Sequence, residues 1–428
     1  LDCVQKLRGP FAFVAWDDRR LFVTRDRLGV HPLYYARIGR RLAFATRIKD
    51  LLAAGVEARI DPDGLRHFLL GVRAREATLF AGIRAVPPGH FLTIEAGQES
   101  LREYWDIHFP QRGARRRLPE REWVEGLYDA LAESVRLHLP DPETPAALLL
   151  SGGIDSSMVA ALALPHRRLT SYTITFHSPR YRSYDESEGA REVAALLGLD
   201  LREVDYSGRQ IDLDLFLEVL WHFELPTYLM GVQTTLPFYL LYRRVAADGV
   251  SVALSGAGSD QILGGYLLQK LERIRRICER HPRSRRHAAL YAHVWRGRAE
   301  PHTAFQGLRQ EILDVYGHDM SGMAWVGSQV FLRELSLEIL SPEWLAALGQ
   351  GETRGALDLG LDRERYAELD PMDQLLYLEM KTRLPDYLLL EEYQIPAAFG
   401  LRASTPFVDH RVVEFAALIP PKVRMRGL

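Results

Sequence analysis

Cysteine is scarce in this sequence: Cys3 and Cys278 are the only two in 428 residues. So few give no support to a disulfide framework, and neither sits in a CxxC or His-rich spacing, so no zinc site is expected. A reducing, cytoplasmic compartment is the simpler expectation. No apolar run reaches about 18 residues, so no transmembrane helix and no membrane partner are expected. An excess of charge of one sign is also lacking. Lys and Arg number 54 against 56 Asp and Glu, a formal charge of −2, so no basic field points to nucleic acid. The first residue is not Met, and "LDCVQKLRGP" has no signal-peptide pattern. The last stretch, "PPKVRMRGL", stops just after a helix-like run, and a fragment lacking sequence at both ends is expected.

What is present is an ordinary globular balance, 47% hydrophobic and 26% charged, in a chain long enough for two domains or more. The first hundred residues read as β-rich. "FAFVAWDD" and "LFVTRD" are short β-formers around a charged turn at Asp17 to Arg20, and "PLYYARIG" with "RLAFATR" makes a second hairpin turning near Gly39. Asp61-Pro62 reads as an N-cap and N1 proline opening a helix. The Arg-rich "HFPQRGARRRLP" reads as a solvated linker, dividing the chain into domains at 1–108 and 121–428, with 109–120 between. A helix follows, with Val124, Leu127, Leu131, Val135 and Leu139 at helical spacing. Beyond Pro145 the apolar runs "AALLL", "LTSYTITF" and "VSVALSG" alternate with amphipathic helices, one closing on Gly198. That alternation implies a parallel sheet with helices on both faces. From Tyr266 onward the pattern is mostly helical, and the run "RIRRICERHPRSRRH" reads as a solvated face.

One stretch carries chemistry. "LLLSGGIDSS", Leu148 to Ser157, drives a buried strand into Ser-Gly-Gly ahead of a helix expected to start at Ser156. Backbone N–H groups can converge there, and the helix N-terminus adds partial positive charge, which together suit a phosphate. Asp155 has the wrong sign to hold phosphate directly, but it could hold Mg²⁺ that bridges phosphate oxygens. With no Gly-Lys-Ser/Thr, this is not a Walker A loop. From the glycines alone, a tight strand-to-helix turn explains the stretch equally well. A second stretch breaks the tie. "LSGAGSDQILGGY" again places Ser-Gly before an acid after an apolar β-run, as Ser255, Gly256 and Asp260. Parallel strands deliver their C-terminal ends to one sheet edge, so two such loops fit one Mg²⁺–polyphosphate site held from two sides.

These residues resemble a known family. "LLLSGGIDSS" is similar to the SGGxDS loop of ATP-pyrophosphatase enzymes, and the second stretch to the SGEGADELFGGY segment of asparagine synthetases. "STPFVDHRVVEFAALIPP" resembles that family's RVPFLDHRLVEFA segment. "LRGPFAFVAWDDRR", "VTRDRLGVHPLYY" and "VPPGHFLTIEAG…REYWD" resemble the second half of its glutaminase domain, in the family's order. The resemblance implies an antiparallel, β-rich Ntn-type glutaminase fragment. After it would come an α/β ATP-pyrophosphatase domain with a helical C-terminal part. It also implies a chemistry: a substrate carboxylate attacks the α-phosphorus of ATP, acyl-AMP and pyrophosphate form, and an amine displaces AMP. Carried over by motif, the Leu150, Ser151, Gly152, Gly153, Ser156 and Ser157 segment would cradle pyrophosphate. Asp155 and Asp260 would hold Mg²⁺. Ser255 and Gly256 would lie against AMP, with Thr173, Ile174 and Thr175 near the adenine. ATP and Mg²⁺ are therefore expected, with a small-molecule or peptide carboxylate as substrate. Glutamine as nitrogen donor stays open, and a homodimer is compatible.

The sequence also departs from the family. Cys3 is not at the place of the family's N-terminal nucleophile and reads as a small buried apolar residue. The acid of SGEG is Ala257, the Asp-Glu-Pro is Glu224-Leu225-Pro226, and the Lys-Val-Asp-Arg segment is replaced by "LLLEEYQIP". The Glu-x-Arg is Arg402-Ala403-Ser404, and the family's catalytic lysine would lie past Lys422. Relatives that form β-lactams pair a Tyr with a Glu as base, which makes Glu391, Glu392 and Tyr393 candidates for acid–base work. Their bland reading is a surface helix. Glutamine-hydrolysing asparagine synthetase is the default expectation. A specialised cyclase of lasso-peptide or β-lactam type, or a nucleotide-binding protein without turnover, are the alternatives.

Overall fold

The computed structural model describes residues 2–69, 76–111, 113–177, 185–206, 212–224, 231–266, 341–344 and 361–424, with isolated positions between 269 and 283. The first helix, α1 (Asp2–Lys6), leads into seven strands: β1 (Ala12–Asp17), β2 (Arg20–Arg25), β3 (Tyr34–Ile38), β4 (Arg41–Ala45), β5 (Ile83–Ala85), β6 (His90–Glu95) and β7 (Gln98–Glu103). They form two antiparallel sheets, ordered β1-β2-β6-β7 and β4-β3-β5. The charged turn forms as expected, because the Asp17 carboxylate accepts from the backbone N–H of Arg19 and Arg20 at 3.3 and 2.9 Å. Val23, Leu92 and Ile94 of the first sheet meet Tyr35 of the second in one core. Helix α2 (Ile48–Ala53) covers the other face of β3, where Leu51 packs with Tyr34 and Ala36. Asp61 caps α3 (Pro62–Leu69), accepting from Gly64 N at 2.8 Å.

The second half is built on β8 (Ala146–Leu149), β9 (Thr170–Thr175), β10 (Leu201–Asp205), β11 (Val252–Leu254) and β12 (Arg402–Ser404). All pair in parallel, in the order β10-β9-β8-β11-β12. Its helices among the described residues include α4 (Glu120–His138), α5 (Ile154–Ala163), α6 (Ser187–Leu197), α7 (Leu213–Phe223), α8 (Gly231–Ala247), α9 (Arg363–Glu368), α10 (Pro371–Lys381), α11 (Leu389–Ala397) and α12 (His410–Leu418). Along β8 the side chains alternate between two cores. Leu148 and Leu150 pack with residues of α4, α5, α6, α10 and α12, while Ala147 and Leu149 pack with α7, α8 and α11. Burial on both faces is why this strand reads as an unbroken apolar run. The chain runs β8, β9, β10 to one side, then returns to lay β11 on the other side of β8. The strand order thus reverses between β8 and β11, and the crevice at such a reversal is where open parallel sheets bind ligands.

Several expectations are corrected. On α4, Leu131 and Val135 are buried and Leu127 and Leu139 pack against the core as expected, but Val124 is 59% exposed and Trp123 takes its place at the start of the buried stripe. Helix α5 begins at Ile154, so Asp155 and Ser156 stand inside its first turn. Cys3 is exposed on α1 rather than buried. The Arg-rich 109–120 stretch is mostly exposed, but it is anchored at two points. Phe109 is buried in the main core, and the Arg115 guanidinium donates to the carbonyls of Ala417, Leu418 and Ile419 at 2.9 to 3.1 Å and pairs with Asp373. It caps the C-terminal end of α12, where carbonyls lack helical partners. Cys278 and most of 273–287 lie outside the described residues.

The halves meet at a charged seam. Glu224, the left-handed C-cap of α7 at φ 49°, accepts from the N–H groups of Ile48 and Lys49 at 2.8 and 2.9 Å. It therefore also caps the N-terminus of α2, where a carboxylate is favoured. Lys49 Nζ donates to Trp221 O and lies over the Trp221 ring, and the His31 and Tyr393 rings meet at 4.9 Å between centroids, tilted by 55°.

Candidate active site

The two Ser-Gly loops leave β8 and β11, the strands flanking the reversal. Gly152 has φ 80°, and a Cβ there would stand 2.3 Å from backbone atoms of Gly189 and Ala190 at the start of α6. Only glycine serves at that point. Within the loop the hydroxyls are turned onto the loop itself. Ser151 N donates to Ser156 Oγ at 3.2 Å, Gly153 N to Ser151 Oγ at 3.1 Å, and Ser157 Oγ to Gly153 O at 2.7 Å. The second loop touches the first backbone to backbone. A Cβ on Gly256 would stand 2.7 Å from Ser156 N and 2.9 Å from the Asp155 carbonyl carbon. The paired motifs therefore form one structure.

Asp155 and Asp260 face the same crevice. Burial raises the Asp155 carboxyl, against a hydrogen bond from Ser259; burial also raises Asp260, and the charge of Asp155 adds to it. Two half-buried carboxylates whose charges oppose one another make a site that a divalent cation would neutralise. The second acid sits in a π-helical turn, Asp260–Gly264, a local geometry common at functional sites.

Beneath the second loop lie the two glutamates of α11. They are not on a surface: Glu391 and Glu392 are 5% and 7% exposed. Glu392 accepts from Ser255 Oγ at 2.8 Å and from Tyr242 OH at 2.5 Å, and Ser255 Oγ in turn accepts from Ala257 N at 3.1 Å. Glu391 accepts from Thr235 Oγ1 at 2.5 Å. Tyr393 turns instead to the seam between the halves and packs against the His31 ring.

Burial pushes the Glu391 carboxyl from 4.5 up to about 8, with the Glu392 charge adding to it. The native state therefore holds a proton that the unfolded chain releases near the ordinary value. Stability is undiminished below that value and is lost as pH rises towards 8. We expect the melting temperature to fall between about pH 5 and pH 8, and Glu391→Gln to flatten that fall. Equal slopes for both proteins in a pH series of thermal melts would refute the assignment.

The structure brings Ser151, Gly152, Gly153, Asp155, Ser156, Ser157, Ser255, Gly256 and Asp260 to one crevice. Leu150 contributes backbone, its N–H donating to Tyr172 O at 2.9 Å. Thr173, Ile174 and Thr175 lie on the neighbouring β9, the two threonines buried. One residue of this site escaped the sequence reading: Glu186, exposed just ahead of α6, whose carboxylate is hydrogen-bonded to Ser151. Its only sequence signal is that it precedes an amphipathic helix.

Known proteins converge on the same description. The asparagine synthase family model matches residues 126–428, and a glutamine amidotransferase domain model matches residues 1–105. The chain is 29% identical to amidase chry2 of Gibberella zeae, with 100% of this chain and 65% of that protein covered. To amidase chyE of Penicillium rubens it is 28% identical, covering 100% and 66%. To glutamine-hydrolyzing asparagine synthetase 1 of Bacillus subtilis it is 27% identical, covering 100% and 64%. The chain thus spans about two-thirds of the length of these curated relatives. With a family match over most of its length and two Ser-Gly loops joined across the reversal of a parallel sheet, the chain belongs to the asparagine synthase family.

Proposed function

We propose that this chain carries the adenylating centre of an AMP-forming, ATP-dependent amide ligase. The observation that carries the reading is the backbone contact between Gly256 and Asp155–Ser156, which joins two loops, each with an acid, into one clamp. A carboxylate oxygen of the substrate attacks the α-phosphorus of ATP, the bond to the β-phosphate oxygen breaks, and pyrophosphate leaves. The nitrogen lone pair of an amine then attacks the acyl carbon, the bond to AMP breaks, and the nitrogen loses a proton to give the amide. Activation is needed because a carboxylate oxygen is a poor leaving group and AMP a good one. The convergent N–H groups of Ser151–Ser157 and the α5 N-terminus favour the phosphates. Asp155 and Asp260 fit Mg²⁺, which would offset polyphosphate charge when bound there. Glu392 and Tyr242 hold Ser255 in place from below.

Two nitrogen sources divide the reading. The amidotransferase match supports ammonia from glutamine, as in asparagine synthetases. Ala257 in place of an acid, and two relatives named amidases, favour a specialised acceptor instead. The test is product analysis with Mg²⁺-ATP. Asparagine, AMP and pyrophosphate from aspartate and ammonia would support the first. Pyrophosphate release triggered only by another carboxylate would support the second. ADP as product, or no turnover with any carboxylate, would overturn the ligase reading.

A further inference from the structure

Near Asp260 stands a cation that none of the recognised motifs contains. Arg383 lies where α10 gives way to a second π-helical turn, Leu384–Leu388. That turn packs against the loop of Asp260: a Cβ on Gly258 would stand 3.9 Å from Leu384. The Arg383 guanidinium lies 4.3 Å over the Tyr266 ring, and Gln261 Nε2 donates to the Tyr266 hydroxyl at 2.5 Å. Tyr266 follows Gly265, against which the Asp260 carboxylate is pressed so closely that a Cβ would overlap it. Tyr266 thus holds Arg383 on the Asp260 side of the crevice, where its charge acts on the Asp260 carboxyl.

Among the described residues its Nε donor is unspent. The ion pair with Glu379, one helical turn back, is long at 3.8 Å. Among the described residues, neither Glu379 Oε2 nor Arg383 Nε, both buried, has a hydrogen-bond partner. Leaving such groups unpaired is costly unless a third group completes them. The charge of Arg383 also acts on Asp260, opposing the rise that burial imposes on that carboxyl.

We propose that Arg383 is the polyphosphate-binding cation of this site, taking β- and γ-phosphate oxygens of ATP and, after transfer, those of pyrophosphate. This rests on the adenylating reading above. A planar guanidinium stacked on a ring presents a pre-set fork that can take two phosphate oxygens at once. AMP has neither of these phosphates, so Arg383 discriminates between ATP and AMP.

The experiment is calorimetric binding of ATP, pyrophosphate and AMP to the full chain in Mg²⁺, with Arg383→Gln, Arg383→Lys and Tyr266→Leu. Arg383→Gln is expected to weaken ATP and pyrophosphate by about tenfold or more and to leave AMP unchanged. Arg383→Lys, which keeps charge but not the fork, should lose less, and so should Tyr266→Leu, with AMP again unchanged. If Arg383→Gln does not fold, Arg383→Lys decides alone. Equal weakening of ATP and AMP would make the residue structural and overturn the proposal, as would unchanged binding of all three. If the unsubstituted chain binds none of them, the adenylating reading has failed, and Arg383 with it.

Discussion

Asp155→Asn is expected to lower pyrophosphate release from ATP by about a hundred- to a thousandfold while leaving the protein as stable as before, or more so. The two halves of this expectation come from one fact. The Asp155 carboxylate is half-buried, and burial raises its pKa, so its charge is held there at a cost to the fold. Asparagine keeps the shape and the partner Ser259 but removes the charge. A structural acid would behave in the opposite way, since its loss would lower stability and activity together. Thermal melts beside a pyrophosphate-release assay separate the two. A marked drop in melting temperature, or undiminished release, would sink the assignment. Asp260→Asn is expected to behave likewise, because its carboxyl is also raised by burial and by the charge of Asp155.

Gly256→Ala should come next in size. The added methyl would meet Ser156 N at 2.7 Å, the Asp155 carbonyl carbon at 2.9 Å and Ser156 Cα at 3.0 Å. These are backbone atoms in the first turn of a helix and cannot swing aside as a side chain would. Relief requires the β11 loop to move off the β8 loop, so the clamp opens by a fraction of an ångström. Overpacking of this kind costs roughly 1–3 kcal/mol. The heavier consequence is for binding, because two loops that no longer meet cannot grip one polyphosphate. We expect ATP affinity to fall by about a hundredfold, the measure of one strong charge-assisted hydrogen bond. Unaltered ATP binding by calorimetry would mean that the loops act independently.

The loops, the parallel sheet and most helices of the second half were legible because each rests on a local signal. Buried strands give continuous apolar runs, and Ser-Gly before an acid needs no tertiary context. Other elements gave no such signal. Strand β10, with exposed Arg202, Glu203 and Asp205, lies at a sheet edge and has little apolar pattern. Strand β12, Arg402–Ala403–Ser404, exists only because β11 offers it hydrogen bonds. Glu391 and Glu392 read as surface because adjacent acids on a helix usually are. Nothing local reveals that Thr235, Tyr242 and Ser255 converge on them from sequence positions well over 100 residues away. Arg115 was hidden for the same reason, since its partners are the last carbonyls of α12. Arg383 stood outside every motif, and its place beside Asp260 follows from a π-helical turn that periodicity does not encode.

The inward turn of the Ser151–Ser157 hydroxyls has a thermodynamic consequence. In this conformation the loop satisfies its own polar groups: Ser151 N, Gly153 N and the hydroxyls of Ser156 and Ser157 all bond within it. An arriving phosphate therefore exchanges one set of hydrogen bonds for another and gains little net enthalpy from the loop itself. Such a latch would select for the shape of the group that springs it, while tightness would come from charge. Affinity should then vary steeply with ionic strength, and the serines should govern which anion is accepted more than how firmly it is held.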